Sequence, residues 1–193
     1  MNQEKIRQYA RLLIRVGINV QPGQTVVIRS PVECAPLVRL CASEAYELGC
    51  REVIVDWRDD ALDRQRYLMA QDSVFDEYAE RDRLIYEIGF SKEAAMLDFY
   101  VSDPELMSGV EPQRITRARR VRMSQIGPLF QRIYDNTAVQ CTVSPPIASW
   151  AKKLFPHLDT DVALETLWEN SSLSCVLMER ATPQSSGASA LRR

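Results

Sequence analysis

Two β-branched runs separated by one helix-length segment constrain this chain more than any other feature. Thr25-Val26-Val27-Ile28-Arg29 follows the turn signal Pro22-Gly23 and reads as a buried strand. Over residues 35–48, Leu37, Val38, Cys41, Ala45 and Leu48 recur at three- and four-residue spacing, which places them on one face of a helix. Gly49 supplies the stop, and Val53-Ile54-Val55 is the second run. Two strands joined by a helix of this length pair most simply as a right-handed parallel βαβ unit. The predicted fold class is therefore α/β, a mostly parallel sheet flanked by helices.

The remaining segments fit that frame. An amphipathic helix over residues 3–16, with Ile6, Tyr9, Ala10, Leu13 and Val16 on its apolar side, covers the sheet. Asp59-Asp60 caps a helix over 61–70, and Asp72-Ser73 starts another that runs on through Phe75, Tyr78 and Leu84. The second half of residues 93–101 reads as a third strand, with Ser102 or Asp103 capping the turn that follows. A long helix opens at Glu111-Pro112 and runs towards Tyr134. Residues 137–143 form a fourth strand, residues 147–155 a short helix, and Asp159 or Thr160 caps a last helix through Trp168. From Asn170 the chain turns Ser-rich and loses its period, so residues 1–169 are expected to be one domain and 170–193 a disordered tail.

Composition narrows the function. A net charge of −2 gives no general attraction to nucleic acid or anionic lipid, no apolar run approaches the ~20 residues of a membrane span, and Met1-Asn2-Gln3-Glu4-Lys5 is no signal peptide. A cytoplasmic chain with no nucleic-acid or membrane partner is expected. Five cysteines without a Cys-x-x-Cys pair read as reduced thiols; Cys34 and Cys41 would lie about 10 Å apart along a helix axis. Arg114, Arg117, Arg119, Arg120, Arg122 and Arg132 are the one basic concentration, read as a solvated or salt-bridged helix face because Ile115, Ala118 and Val121 form a core stripe beside them.

Catalytic patterns are sparse. The single histidine, His157, follows Pro156 in a polar loop, which argues against a histidine-rich metal site and against Ser-His-Asp or Cys-His schemes. Neither a Gly-x-Gly-x-x-Gly nor a P-loop motif occurs, which argues against a Rossmann-type cofactor. Open α/β sheets bind ligands beyond the carboxyl ends of their strands, which selects Arg29, Glu33, Trp57 and Asp59 for contact with a small polar ligand. Arg29 paired with Glu33 as a loop clamp is the competing reading. No catalytic or metal-binding residue is selected.

Several stretches together resemble one family. Residues 20–33 (Val20-Gln21-Pro22-Gly23 through Val32-Glu33), 52–60, Ser102-Asp103-Pro104-Glu105-Leu106, 150–156 and Leu167-Trp168-Glu169 are similar, in order, to the amino-terminal half of the thermophilic-type metallo-aminopeptidases, the aminopeptidase T and S group. The resemblance implies a cytoplasmic, homodimeric, two-domain exopeptidase whose two divalent metals, zinc, cobalt or manganese, activate a water against the first peptide bond. It places the metal ligands in the second half of the polypeptide, so no cofactor is expected in this chain. After Glu169 the family-like pattern is expected to stop, as in a truncation followed by a shifted reading frame. Leu167 and Trp168 are then expected to be left uncovered. Two functions compete: an amino-terminal aminopeptidase domain inactive alone, and a stand-alone interaction or ligand-binding module, for example in mixed dimers with a full-length homologue.

Overall fold

The computed structural model describes residues 3–103 and 105–181, with side chains described through residue 171. Four strands, β1 (Thr25–Pro31), β2 (Glu52–Arg58), β3 (Ala94–Phe99) and β4 (Val139–Val143), form one sheet in the order β2-β1-β3-β4. All three pairings are parallel, with Val27 opposite both Ile54 and Met96. The helices are α1 (Gln3–Leu12), α2 (Ala35–Glu47), α3 (Asp60–Met69), α4 (Glu80–Gly89), α5 (Pro112–Ile126), α6 (Gln131–Tyr134), α7 (Ala148–Leu154) and α8 (Thr160–Ala181).

Alternation along the strands divides the core between two faces. Val26, Ile28, Ala95, Leu97 and Phe99 point to one face, where Ile6 of α1, Leu13 just after it, Leu37, Val38 and Cys41 of α2, Trp150 of α7 and Trp168 of α8 pack. Val27 and Met96 point to the other, where α4, α5 and α6 supply Tyr86, Phe90, Ile126 and Ile133. The arms of the βαβ unit are closed by local chemistry. At the end of α2 the N–H of Gly49 donates to the Tyr46 carbonyl (2.9 Å) and that of Cys50 to the Ala45 carbonyl (3.2 Å), with Gly49 at φ +79°. That paired bonding is a Schellman stop, and it needs a residue free to take the left-handed conformation. Across the α1–α2 contact, the buried Glu44 carboxylate accepts from Arg11 and Arg15.

Several expected boundaries shift. The first helix ends in one wide turn over Leu13–Gly17, closed by Ile18 N–H to the Leu13 carbonyl (2.9 Å). The single helix expected from Asp72 divides into a 3-10 segment, Asp72–Asp76, and α4, because Phe75 turns inward to stack on Tyr67 at 5.3 Å. All of Ala94–Phe99 is strand, since β3 is central and buried on both faces, where strands carry continuous apolar runs. The helix expected to reach Tyr134 breaks at Gly127-Pro128, where proline lacks the N–H the ladder needs. Trp168 is 9% exposed and meets the ring of Tyr9 edge-on at 5.6 Å, so it is covered rather than bare. Helix α8 continues past Asn170 to Ala181, and residues 182–193, the rest of the expected tail, lie outside the described residues.

Candidate functional site

Register sets up a buried polar row at the carboxyl end of the sheet. Arg29 on β1 lies opposite Asp56 on β2 and Asp98 on β3, and Asp98 lies opposite Thr142 on β4. These residues follow Val27, Ile54 and Met96 by two positions, so they share the face packed by α4 and α5. Arg29, Asp56 and Asp98 are each buried. A buried charge persists only if it is paired, and each of these is. Arg29 Nε donates to Asp56 Oδ2 at 3.2 Å, its Nη1 stands 3.7 Å from Asp98 Oδ2, and Arg81 from the start of α4 reaches Asp56 Oδ1 at 2.5 Å. Arg58, at the end of β2, approaches Asp98 Oδ1 at 3.6 Å and donates to the Phe99 carbonyl. Below them the Tyr86 hydroxyl accepts from Arg29 and, at 2.6 Å, from Arg122, while the Arg29 guanidinium carbon lies 4.3 Å from the centre of the Tyr86 ring.

The row borders open space. From β1 the chain crosses through α2 to β2 on one side and then returns over β1 to β3 on the other, so the strand order reverses beside β1. At that switch point a cavity of about 470 Å³ opens, lined among others by Arg29, Asp56, Trp57, Arg58, Asp59, Asp63, Tyr78 and Arg122. A second, of about 360 Å³, adjoins it and shares Arg58, Asp63 and Tyr100, with Val101, Leu106 and Trp150 as apolar wall. Burial pushes the Asp63 carboxyl upward, assisted by the negative charge of Asp60, and burial likewise raises the Tyr67 and Tyr78 phenols.

Of the residues selected from sequence, Arg29, Trp57 and Asp59 line the larger cavity. Asp59 also caps α3, its Oδ1 accepting from the N–H groups of Ala61 (2.9 Å) and Leu62 (3.2 Å). Glu33 is exposed in the 3-10 turn Val32–Cys34 and lines neither cavity. Arg29 pairs with Asp56 and Asp98, not with Glu33, because its side chain leaves the strand on the α4 face. Sequence reasoning missed Asp56, Asp98, Arg58, Tyr86 and Arg122. The available signal was a lone aspartate inside each of two apolar strands, where an ionised side chain demands a partner.

The basic concentration on α5 is part salt-bridged and part solvated, with Arg119 and Arg120 exposed. Arg114 pairs with Asp72 at 2.6 Å and Arg117 pairs with Asp76, fixing α5 to the 3-10 segment. Among the described residues no three His, Cys, Asp or Glu side chains gather where a metal ion could be held, and His157 is exposed. The buried carboxylates Asp56 and Asp98 face guanidinium groups, which fill the positions a cation would need. These residues do not fit the metal pair implied by the family resemblance.

Comparison with known proteins follows the same lines. Residues 2–185 match the thermophilic metalloprotease (M29) family, a match that runs past Glu169, where the family-like pattern was expected to stop. The chain is 34% identical over 168 residues to Aminopeptidase 2 of Geobacillus stearothermophilus, covering 86% of this chain and 40% of that protein. It is 34% identical over 179 residues to Aminopeptidase PepS of Streptococcus thermophilus, covering 92% and 43%. The structure of wild-type AmpT from Thermus thermophilus superposes with a TM-score of 0.83 at 27% identity, over 94% of this chain and 47% of that one. The chain thus spans less than half the length of these relatives. With the parallel sheet, the profile match and the identities in agreement, the chain belongs to the thermophilic metalloprotease (M29) family.

Proposed function

We propose that this chain serves as the amino-terminal domain of an aminopeptidase, contributing to release of amino-terminal residues from peptides only when the rest of the enzyme's length is supplied, and turning over no substrate alone. The observation that carries this reading is the coverage: the match spans most of this chain but only 40–43% of relatives named aminopeptidases. The lack of a metal-holding group among the described residues supports it, since peptide hydrolysis in a metallopeptidase needs a metal-activated water. Zinc, cobalt or manganese would then be held outside the described residues. Free thiols at Cys34, Cys41, Cys50 and Cys141 support a reducing, cytoplasmic setting.

The test is hydrolysis of a leucyl chromogenic amide by the purified chain with each of the three metals, alone and mixed with the separately expressed remainder of a full-length relative. No turnover alone and turnover in the mixture is the expected result. Chelator-sensitive turnover by the chain alone overturns it.

A second reading, an interaction module that forms mixed dimers with a full-length homologue, draws on α3. That helix buries no residue and leaves Leu62 63% and Met69 81% exposed. Co-elution with a tagged full-length relative supports it, and a clean monomer in the mixture removes it.

A further inference from the structure

The sheet ends in two edges of different character. At the β2 edge the Tyr46 hydroxyl accepts from the N–H of Val53 at 3.2 Å, and Glu52, Asp56 and Arg58 put charges along the strand. Charged residues on an outermost strand discourage pairing with another chain. The β4 edge has no such guard. Residues 137–144 read Thr-Ala-Val-Gln-Cys-Thr-Val-Ser, with neither a charge nor a proline. Among the described residues β4 pairs only with β3, and successive residues turn their backbone groups to opposite sides. The Val143 carbonyl accepts from the Tyr100 N–H at 2.8 Å, so Val139, Cys141 and Val143 face β3. Gln140 and Thr142 therefore present N–H and C=O groups to the open side, and no described residue bonds them there.

Handedness narrows what can lie on that edge. Helices α7 and α8, which follow β4, pack on the same face of the sheet as α2. The β1-α2-β2 crossover runs over that face away from β3. A parallel strand that followed α8 on the far side of β4 would thus need a left-handed crossover, whereas about 98% of such connections are right-handed. A continuation of the same chain is a poor occupant, but β4 itself is a good one. Set antiparallel to its own copy about a two-fold axis at Cys141, the strand puts Gln140 opposite Thr142 of the second copy, and Val139 opposite Val143. Gln140 and Thr142 then exchange both backbone hydrogen bonds, and Cys141 meets Cys141 in the closer, non-hydrogen-bonded kind of pair, with Cα atoms about 4.5 Å apart. Nowhere do like charges meet, and Val139, 41% exposed in the single chain, gains an apolar neighbour. We propose that the β4 edge is a self-association surface, through which two copies of this chain join their sheets antiparallel. The arrangement leaves only the guarded β2 edges outermost, so it closes at a dimer. It is complete in this chain and does not depend on the aminopeptidase reading.

The test is sedimentation velocity of the intact chain from about 5 µM to about 0.2 mM. A reversible shift from 22.0 kDa to twice that mass is expected. Diamide, which takes up the two thiol hydrogens, should join the copies through a Cys141–Cys141 disulfide that Cys141→Ser removes. Two double variants check the register. Gln140→Lys with Thr142→Lys sets like charges opposite each other, and Gln140→Lys with Thr142→Glu sets opposite charges there. The first should have a dissociation constant about tenfold above the second. Leu62→Glu with Met69→Glu, on α3, should leave the dimer unchanged. A monomer throughout the range, equal dissociation of the two β4 variants, or a dimer lost with the α3 variant overturns the proposal. Should a β4 variant fail to fold by circular dichroism, the unaltered chain decides: an oxidised dimer without the Cys141 disulfide overturns it.

Discussion

Replacing Arg29 by methionine removes the cation from between two buried aspartates while keeping an unbranched apolar stem of similar reach. The guanidinium stands 3.2 Å from Asp56 Oδ2 and 3.7 Å from Asp98 Oδ2, with all three side chains at most 10% exposed. Breaking a buried ion pair from one side costs about 3–5 kcal/mol, because the remaining charge is left buried without compensation. The two aspartates are not equally affected. Asp56 keeps Arg81 at 2.5 Å, whereas Asp98 keeps only Arg58 at 3.6 Å and already lacks a hydrogen bond on Oδ1. The Tyr86 hydroxyl keeps Arg122. Most of the loss therefore sits at Asp98. Urea unfolding followed by far-UV circular dichroism should show a midpoint about 2 M lower in Arg29→Met, for a loss of about 4 kcal/mol and a slope of about 2 kcal/mol/M. Adding Asp98→Asn should recover about half of that, and adding Asp56→Asn clearly less. A loss below about 1 kcal/mol in the single variant, or equal rescue by the two asparagines, refutes the account of the row as a charge-balanced network.

Three further outcomes follow from the fold. Gly49→Ala places a Cβ on a residue at φ +79°, so it should cost about 1 kcal/mol and lower the melting temperature by roughly 2–4 °C; an unchanged melting temperature contradicts the Schellman assignment. Burial pushes the Cys34 and Cys41 thiols up to about 12, so at pH 8 a disulfide reagent should label both only after denaturation, and rapid native labelling of Cys41 contradicts its placement. Asp63 is shifted upward by burial and by Asp60, so the folded carboxyl holds its proton more tightly than the unfolded one, and the native state gains stability as pH falls towards the ordinary value of 3.8. Asp63→Asn should therefore raise the urea midpoint at pH 7, with the gap closing as the parent protonates; a gap that widens on acidification refutes it.

The βαβ unit was legible because its determinants are local: a turn, two β-branched runs and a helical period lie within one stretch. The same holds for the α3 cap at Asp59. What the sequence hid was pairing across strands. Asp56 and Asp98 each look like the frayed end of an apolar run until the order β2-β1-β3 places Arg29 between them. The arginines of α5 show the same limit: Arg114 and Arg117 go to the expected surface salt bridges, while Arg122, on the same helix, turns in to Tyr86. Which of them turns inward depends on where α4 packs. The break at Gly127-Pro128 is written in the sequence, but the apolar period resumes on its far side and masks it.

The edge-on contact between Tyr9 and Trp168 joins the first helix to the last. One face of the sheet is thus finished by segments far apart in the sequence, whereas the β1-α2-β2 arm and the α4–α6 face close through nearer neighbours. During synthesis α1 leaves the ribosome well before α8, so its contact with Trp168 forms only after the intervening strands have emerged. Closing so long a loop is slow compared with local hairpin or helix formation. The indole of Trp168 therefore reports the docking of α8 onto α1, and the apolar surface this step covers is open to aggregation until it is taken.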